Sequence, residues 1–248
     1  MIGQENKIAV VILAAGKGSR MKSALPKVMH KLNDQPLIKY VVKEVKKINI
    51  KPLLVVSDDG VVKDYLKDEV DYVVQTESLG TGHALRQAEN VLKNKVEQVV
   101  VLYGDMPFLK SASIKNLILK HRQEKNKITL LTIKVPNFLN KYQTFFDFGR
   151  IVRNINGAVE KIVEKKDASE KELGITELNT SYFCFNSDWL WFNLKKLKNN
   201  NVQGEYYLTD LVEIALNQDE KISTMDILAE EAVGINTKEH LENFKKII

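Results

Sequence analysis

The sequence predicts an α/β fold, a doubly wound and mostly parallel sheet carrying an antiparallel lobe. Three observations lead there. Near-continuous Val, Ile and Leu runs recur through the first half of the chain, as strands buried on both faces of a sheet require. Between them lie stretches with apolar residues at helical spacing. Beyond Val135 the rhythm changes to alternating runs around an Asn-Gly pair, the local signature of a hairpin.

Taken in order, "IAVVILA", "PLLVVS", "DYVVQ", "EQVVVLYG" and "KITLLTIKV" are the expected strands of one parallel sheet. In "PLIKYVVKEVKKI", Ile38, Val41, Val42, Val45 and Ile48 share one helical face and the lysines take the other. Helices are also expected over 80–92 and 111–123. Strand and helix alternating in this way imply right-handed crossovers, with ligands bound beyond the carboxyl ends of the strands. In "RIVRNINGAVEKIVE", Asn156 and Gly157 predict a tight hairpin, and "ITELNTSYFCFN" a further strand, so antiparallel structure is expected as an addition to the parallel sheet. "EEAVGI" reads as a final strand, with helices over 208–217 and 238–247. No linker rich in Pro, Gly or Ser, no repeat and no low-complexity tract divides the chain. One domain with an inserted or appended lobe fits.

Composition removes several classes. The 248 residues are 44% apolar, enough for a sizeable core. No apolar run approaches the ~20 residues that cross a bilayer, and "MIGQENK" lacks the regions of a signal peptide. The expected location is the cytoplasm, with no membrane partner. The single Cys184 lies in an apolar stretch and reads as a small core residue. Although the net charge is +5, the lysines are spread over every helical segment and only five cations are arginine, so no nucleic-acid partner is expected.

The stretch "VVILAAGKGSRMKSALPK" holds the strongest chemical signal. Ala14, Ala15, Gly16 and Gly18 carry little or no side chain, so backbone N–H groups can approach an anion. Lys17, Arg20, Lys22 and Lys27 supply compensating charge. A Walker loop needs a different spacing, and a dinucleotide fingerprint needs a glycine where Met21 stands. Asp105 follows an apolar strand, where its hard oxygens suit a divalent cation; its position equally suits a turn or cap before Pro107. His30, His83, His121 and His240 have no partner at metal-ligand spacing.

The string resembles the "LAAGxGTRMxSxLPK" signature of sugar nucleotidyltransferases, and particularly the uridylyltransferase domains of the bifunctional N-acetylglucosamine-1-phosphate uridylyltransferases. "QTESLGTGHA", "LYGDMPFL", "FGRIVR", "IVEKKDA", "ELNT", "QGEYYLTDLV" and "GINT" continue the resemblance in the family's order along nearly the whole chain. It implies a Rossmann-like sheet of the nucleotide-diphospho-sugar transferase type, with roughly 1–135 holding the nucleotide and 136–248 forming the sugar-binding lobe and C-terminal helices. The implied reaction is attack by a sugar 1-phosphate on the α-phosphorus of UTP, assisted by Mg²⁺, making UDP-N-acetylglucosamine and pyrophosphate.

The resemblance also implies roles. Arg20, Lys27 and Asp105 are the catalytic residues. Leu13, Ala14, Ala15, Gly16, Lys17, Gly18, Gln75, Gly80 and Thr81 bind the nucleotide, and Gln75, Gly80 and Thr81 read its uracil. Tyr103, Gly104, Gly149, Glu164 and Asn179 bind the sugar, and Asp105 and Asn236 hold the metal. Without the resemblance, "GTG" reads as a turn, Glu164 as one charge on a solvated strand edge, and Asn236 as a cap for "TKEHLENF". Three features depart from the family pattern: Phe148 stands where a tyrosine usually precedes the glycine of "GRI", Ser181 replaces a glycine in "NTG", and 136–147 is longer than the family's equivalent and could lid the sugar. They keep glucose 1-phosphate or another hexose phosphate open as the substrate. A catalytically silent nucleotide-sugar sensor would have lost Arg20, Lys27 or Asp105, and all three are present. No hexapeptide period follows, so a uridylyltransferase without acetyl-CoA activity and without a β-helix trimerisation domain is expected.

Overall fold

The computed structural model describes residues 7–16, 18, 21 and 23–245. Lys17, Arg20 and Lys22 of the basic loop lie outside the described residues. The strands are β1 (Ile8–Leu13), β2 (Lys31–Leu32), β3 (Gln35–Pro36), β4 (Leu53–Val56), β5 (Asp71–Val74), β6 (Gln98–Tyr103), β7 (Ile128–Lys134), β8 (Gly149–Arg153), β9 (Val159–Val163), β10 (Glu177–Asn186) and β11 (Ile222–Asp226). The helices are α1 (Leu37–Lys46), α2 (Val61–Leu66), α3 (Thr81–Arg86), α4 (Glu89–Leu92), α5 (Ser111–Glu124), α6 (Glu170–Leu173), α7 (Ser187–Leu194), α8 (Asp210–Leu216) and α9 (Lys238–Lys245).

The main sheet runs β11-β7-β10-β6-β1-β4-β5, and β8 joins β10 to β9. β1 pairs in parallel with β4 and β6, and β4 with β5. Its strands alternate between two apolar layers. Val10 and Ile12 of β1 and Val100 and Leu102 of β6 face the layer that holds Val41 and Val42 of α1, Leu66 of α2 and Leu117 of α5. Ala9, Val11, Val99 and Val101 face the opposite layer with Leu85 of α3, Leu190 of α7 and Leu211 of α8. Helices on both faces of a largely parallel sheet are the doubly wound architecture the sequence predicts.

The antiparallel part is placed differently from the expectation. β10 is not an addition at the edge; it enters the sheet between β6 and β7, antiparallel to both. The strand expected in "EEAVGI" does not form either. Ala229–Ala232 is a single 3₁₀ turn, and the buried residues after it cross over the strand ends, because β11 already occupies the edge beside β7. The helix expected over 80–92 is two helices: the N–H groups of Gln87 and Ala88 bond three residues back, to Ala84 and Leu85, which tightens and breaks the α-helical ladder. The hairpin loop is longer than a tight turn. Arg153 pairs with Val159, and the Asn154 side chain accepts N–H bonds from Asn156 and Ala158 at 3.0 Å each, while Gly157 takes φ +78°.

Candidate active site

The carboxyl ends of β1, β5 and β6 open onto one cleft of ≈ 230 Å³. Its walls include Leu13, Ala14, Ala15 and Gly16 from the loop after β1, Gln75 after β5, Gly80 and Thr81 opening α3, Tyr103 and Asp105 at the end of β6, and Lys27. The ladder extends into these loops. Ala14 donates to the Val55 carbonyl at 2.8 Å, Gln75 to Val56 at 2.8 Å and Gly104 to Leu13 at 3.0 Å, so three loops leave the sheet at fixed angles. A Cβ on Gly16 would meet nothing within 4 Å, which leaves its backbone approachable from the cleft. Gly18 is the opposite case. It sits at φ +62°, and a Cβ there would lie 2.8 Å from the Lys27 Cβ, so only glycine lets the loop pass Lys27. Gly104 has no room for a side chain against Ile38 and Val28.

Lys27 stands on a 3₁₀ turn, Lys27–Met29, entered through Pro26. Its ammonium forms an ion pair with Asp105 and donates to Asn236 Oδ1 at 2.9 Å. The two oxygens meet because Ile235 N–H bonds the Asp105 carbonyl at 2.9 Å, which lays the 233–236 segment against the end of β6. The cap of α9 is Thr237, whose hydroxyl accepts from His240 N–H at 3.1 Å, and not Asn236. Among the described residues no three His, Cys, Asp or Glu side chains converge as a metal cluster. A cation here would draw on one carboxylate and one amide oxygen of the protein. The donor pair suits one all the same: hard oxygens are what Mg²⁺ prefers, and both already share the positive charge of Lys27.

Tyr103 divides this cleft from a second group. Its buried hydroxyl interacts with the hydroxyls of Thr81 and Ser181, and burial, with Glu164 and Asp105 nearby, raises its pKa. Beyond it, Asn179 on β10 is the register partner of Gly149 on β8. A Cβ on Gly149 would fall 3.5 Å from Glu164 Oε1, so the absent side chain brings backbone close to that carboxylate. Glu164 is not a solvated charge. It accepts from the Thr209 hydroxyl at 3.1 Å, and burial raises its pKa while that bond opposes the rise. Ser181 holds φ +64° at a bulge between Asn179 and Phe183, and its N–H bonds Asn179 Oδ1 at 2.9 Å.

The structure therefore gathers Leu13, Ala14, Ala15, Gly16, Lys27, Gln75, Gly80, Thr81, Tyr103 and Asp105 around one cleft. Gly149, Glu164 and Asn179 lie together beyond Tyr103. The 136–147 segment takes a 3₁₀ course over Asn140–Asp147, and the buried Arg150 clamps it, with its guanidinium 5.0 Å from the rings of both Phe138 and Phe146. A larger groove of ≈ 650 Å³ lies between this segment and α9, but none of the catalytic, nucleotide-, sugar- or metal-binding residues expected from the sequence lines it. Sequence reasoning missed three contributors. Ser78 and Glu205 line the cleft, and Thr209 holds Glu164. Glu205 and Thr209 sit in the "QGEYYLTDLV" stretch, which packs on 78–84 through Tyr206 N–H to Leu79 O at 2.9 Å and Gly82 N–H to Tyr206 O at 2.8 Å. His83 supports Gln75, with its Nδ1 3.0 Å from the Gln75 amide nitrogen.

A doubly wound sheet with this cleft at its strand ends, together with the similarities that follow, identifies a nucleotidyltransferase. The chain belongs to the family of MobA-like NTP transferase domains, which matches residues 10–142. It is 43% identical over 244 residues to the bifunctional protein GlmU of Acetivibrio thermocellus, a match that takes in 97% of this chain and 51% of the relative. It is 40% identical over 241 residues to that of Clostridium acetobutylicum, covering 96% of this chain and 51% of the relative. The chain thus spans about half the length of these relatives, and the match lies in their N-terminal half. Among solved structures, a Bacillus anthracis protein named as a glucose-1-phosphate thymidylyltransferase has the same fold, with TM-score 0.75 and 21% identity over 97% of this chain and 94% of its own. A 4-diphosphocytidyl-2C-methyl-D-erythritol synthase from Anaerococcus prevotii shares it at TM-score 0.67 and 16% identity, over 98% of this chain and 99% of its own. Among the described residues no helix is long and apolar enough to cross a membrane.

Proposed function

We propose that this chain transfers a uridylyl group, making UDP-N-acetylglucosamine and pyrophosphate from UTP and N-acetylglucosamine 1-phosphate with Mg²⁺. One observation carries the reading. Lys27, Asp105 and Asn236 converge at the mouth of the cleft, between the small-residue loop after β1 and the Glu164 and Asn179 group. On this reading, roughly 1–135 holds the nucleotide and 136–248 the sugar. Similarity to the GlmU proteins over 97% of the chain supports the choice of substrates.

No enzyme nucleophile is needed. A phosphate oxygen of the sugar 1-phosphate attacks the α-phosphorus of UTP, the bond from that phosphorus to the bridging oxygen breaks, and pyrophosphate leaves with the electron pair. Catalysis then rests on alignment and charge. The backbone around Gly16 and the Lys27 ammonium receive phosphate oxygens, together with Arg20 and Lys17. Gln75, with the backbone of Gly80 and Thr81, pairs the polar edge of uracil, and cytosine would leave those groups mismatched. Tyr103 and Gly104 floor the sugar, while Glu164 and Asn179 accept hydrogen bonds from its hydroxyls and Gly149 leaves it room. Asp105 and Asn236 would hold Mg²⁺, which when bound neutralises charge developing on the phosphates.

A second reading keeps the reaction and changes the sugar. Ser181 occupies a left-handed backbone position that glycine favours, and its hydroxyl adds a polar group between Tyr103 and Asn179. This is the feature that would favour a hexose phosphate without the acetamido group. The test is pyrophosphate release from UTP with a panel of sugar 1-phosphates, for the wild type and Asp105→Ala. N-acetylglucosamine 1-phosphate should be the best substrate, and a folded Asp105→Ala protein should lose about 100-fold or more in turnover. Preference for glucose 1-phosphate would install the second reading. Near-normal turnover by Asp105→Ala would remove Asp105 from the site.

A further inference from the structure

The Asp105 and Asn236 oxygens are not open to a metal in this conformation, because the Lys27 ammonium bridges them. The bridge is partly buried, with 19% of the Lys27 side chain and 11% of the Asp105 side chain exposed. Its three members are held from behind. The Lys27 backbone is locked by the turn after Pro26 and by the close pass of Gly18. Asp105 lies in the turn just after the central strand β6, and the Ile235 to Asp105 backbone bond of 2.9 Å holds the segment that carries Asn236. The four-carbon Lys27 stem has rotatable bonds to swing about, and it lines the same cleft as Gly16 and Ala15.

A divalent ion and an ammonium cannot both hold this pair of oxygens. Two cations a few ångströms apart repel strongly in a partly desolvated site. The protein offers a small ion two oxygens here, and Mg²⁺ requires six ligands. The phosphates of a nucleotide can supply some of the rest, and they are also the only strong counter-charge the proposed ligand brings for a displaced lysine.

We propose that Lys27 is a resident counter-ion that yields to the metal. In the free protein it neutralises Asp105 and keeps divalent cations off the site; when the triphosphate arrives, its charge draws the ammonium away and uncovers both donors. Metal and nucleotide therefore enter as a coupled pair, and the lysine that guarded the empty site becomes a phosphate ligand in the filled one. The inference rests on Asp105 and Asn236 being the metal donors of the proposed reaction. A purely structural ion pair would instead leave metal affinity indifferent to Lys27.

The experiment uses Mn²⁺ as a paramagnetic probe. Its affinity is measured by electron paramagnetic resonance on the wild type, Lys27→Met, Lys27→Gln and Lys27→Met/Asp105→Asn, each with and without α,β-methylene UTP. Circular dichroism confirms that each variant is folded, and Lys27→Gln, which retains a hydrogen-bond donor toward Asp105, serves if the methionine variant is not. Without nucleotide, both single variants should bind Mn²⁺ about tenfold or more tightly than the wild type. The nucleotide should strengthen Mn²⁺ binding more in the wild type than in either of them. Equal Mn²⁺ affinity for wild type and single variants, together with a loss in the double variant, would overturn the exchange and leave the donor assignment standing. A double variant that kept the gain would show instead that Asp105 is not a donor. Wild-type crystals soaked in Mn²⁺ alone should show no ion between Asp105 and Asn236 while Lys27 bridges them; an ion bound there beside an undisplaced Lys27 would also overturn it.

Discussion

Replacing Asp210 by asparagine should stabilise the protein above neutral pH, by an amount the surroundings of that residue define. Asp210 opens α8 and is half-buried. Its carboxyl is pushed up to about 6 from an ordinary 3.8, first by burial and then by the negative charges of Glu213, Glu164 and Asp167. The folded protein therefore holds this proton more tightly than the unfolded chain does. Stability from it is fully present below the unfolded value and is lost as pH rises through about 6. A shift of about two units corresponds to about 3 kcal/mol at 1.36 kcal/mol per unit. Solvent screening of a half-buried group reduces this to about 1–2 kcal/mol. The α8 dipole, which favours a carboxylate in the first turn, trims it further by about 0.3–1 kcal/mol. Asp210→Asn should consequently gain about 1 kcal/mol near pH 8, where the wild type bears an unfavourable charge, and nothing near pH 3, below the unfolded value, where both states hold the proton. Urea denaturation of both proteins at the two pH values measures the difference. A variant less stable than the wild type near pH 8, or a gap of the same size at both, would refute the argument.

Two further outcomes test the cleft itself. Gly18→Ala places a methyl 2.8 Å from the Lys27 Cβ at φ +62°, and should cost about 1–3 kcal/mol in stability along with a fall in kcat/KM for UTP; a fully active, equally stable variant would show that the loop does not need its glycine. Gln75→Ala should raise KM for UTP and narrow its advantage over CTP, whereas Glu164→Ala should chiefly raise KM for the sugar phosphate, each by about tenfold or more. Steady-state kinetics with each substrate varied would expose equal effects on both, which would deny the division of roles.

The strands β1, β4, β6 and β7 were legible because runs such as "IAVVILA" bury both faces, and a strand with no solvent side leaves no room for polar residues; β5, a partly buried edge strand, was legible from its β-branched run. The position of β10 was not legible. "ITELNTSYFCFN" reads as a strand from its own residues, but its insertion between β6 and β7 depends on pairing Phe183 with Val101 and with Leu130, and no local period encodes a partner so distant in the chain. β11 escaped notice because "ISTMD" is short and only partly buried. "SDWLWFNL" formed α7 with apolar side chains on several faces and no stripe to mark it.

At the site, the resemblance in "LAAGKGSRM" and "LYGDM" pointed to residues that the fold gathers in one cleft. It could not reveal that Lys27 contacts Asn236, 209 positions away in sequence. Nor did "EKIVEKKD" disclose a half-buried, hydrogen-bonded carboxylate. Glu164 looks like one charge among many until Thr209, just before α8, supplies its hydrogen bond.

The insertion of β10 has a consequence for how such a protein can diversify. β8 is held to the main sheet by two register pairs, Leu178 with Arg150 and Asn179 with Gly149, and β9 reaches the sheet through β8 alone. The hairpin is thus a graft on a strand that is itself paired with β7 on either side of its bulge and with β6 from Phe183 to Asn186. Loop length, turn sequence and side chains in the graft can drift while the register of the trunk, and with it the placement of Tyr103 and Asp105, stays fixed. If the hairpin holds the sugar as proposed, substrate choice and reaction geometry sit on separable pieces of one sheet, and the first can change without rebuilding the second.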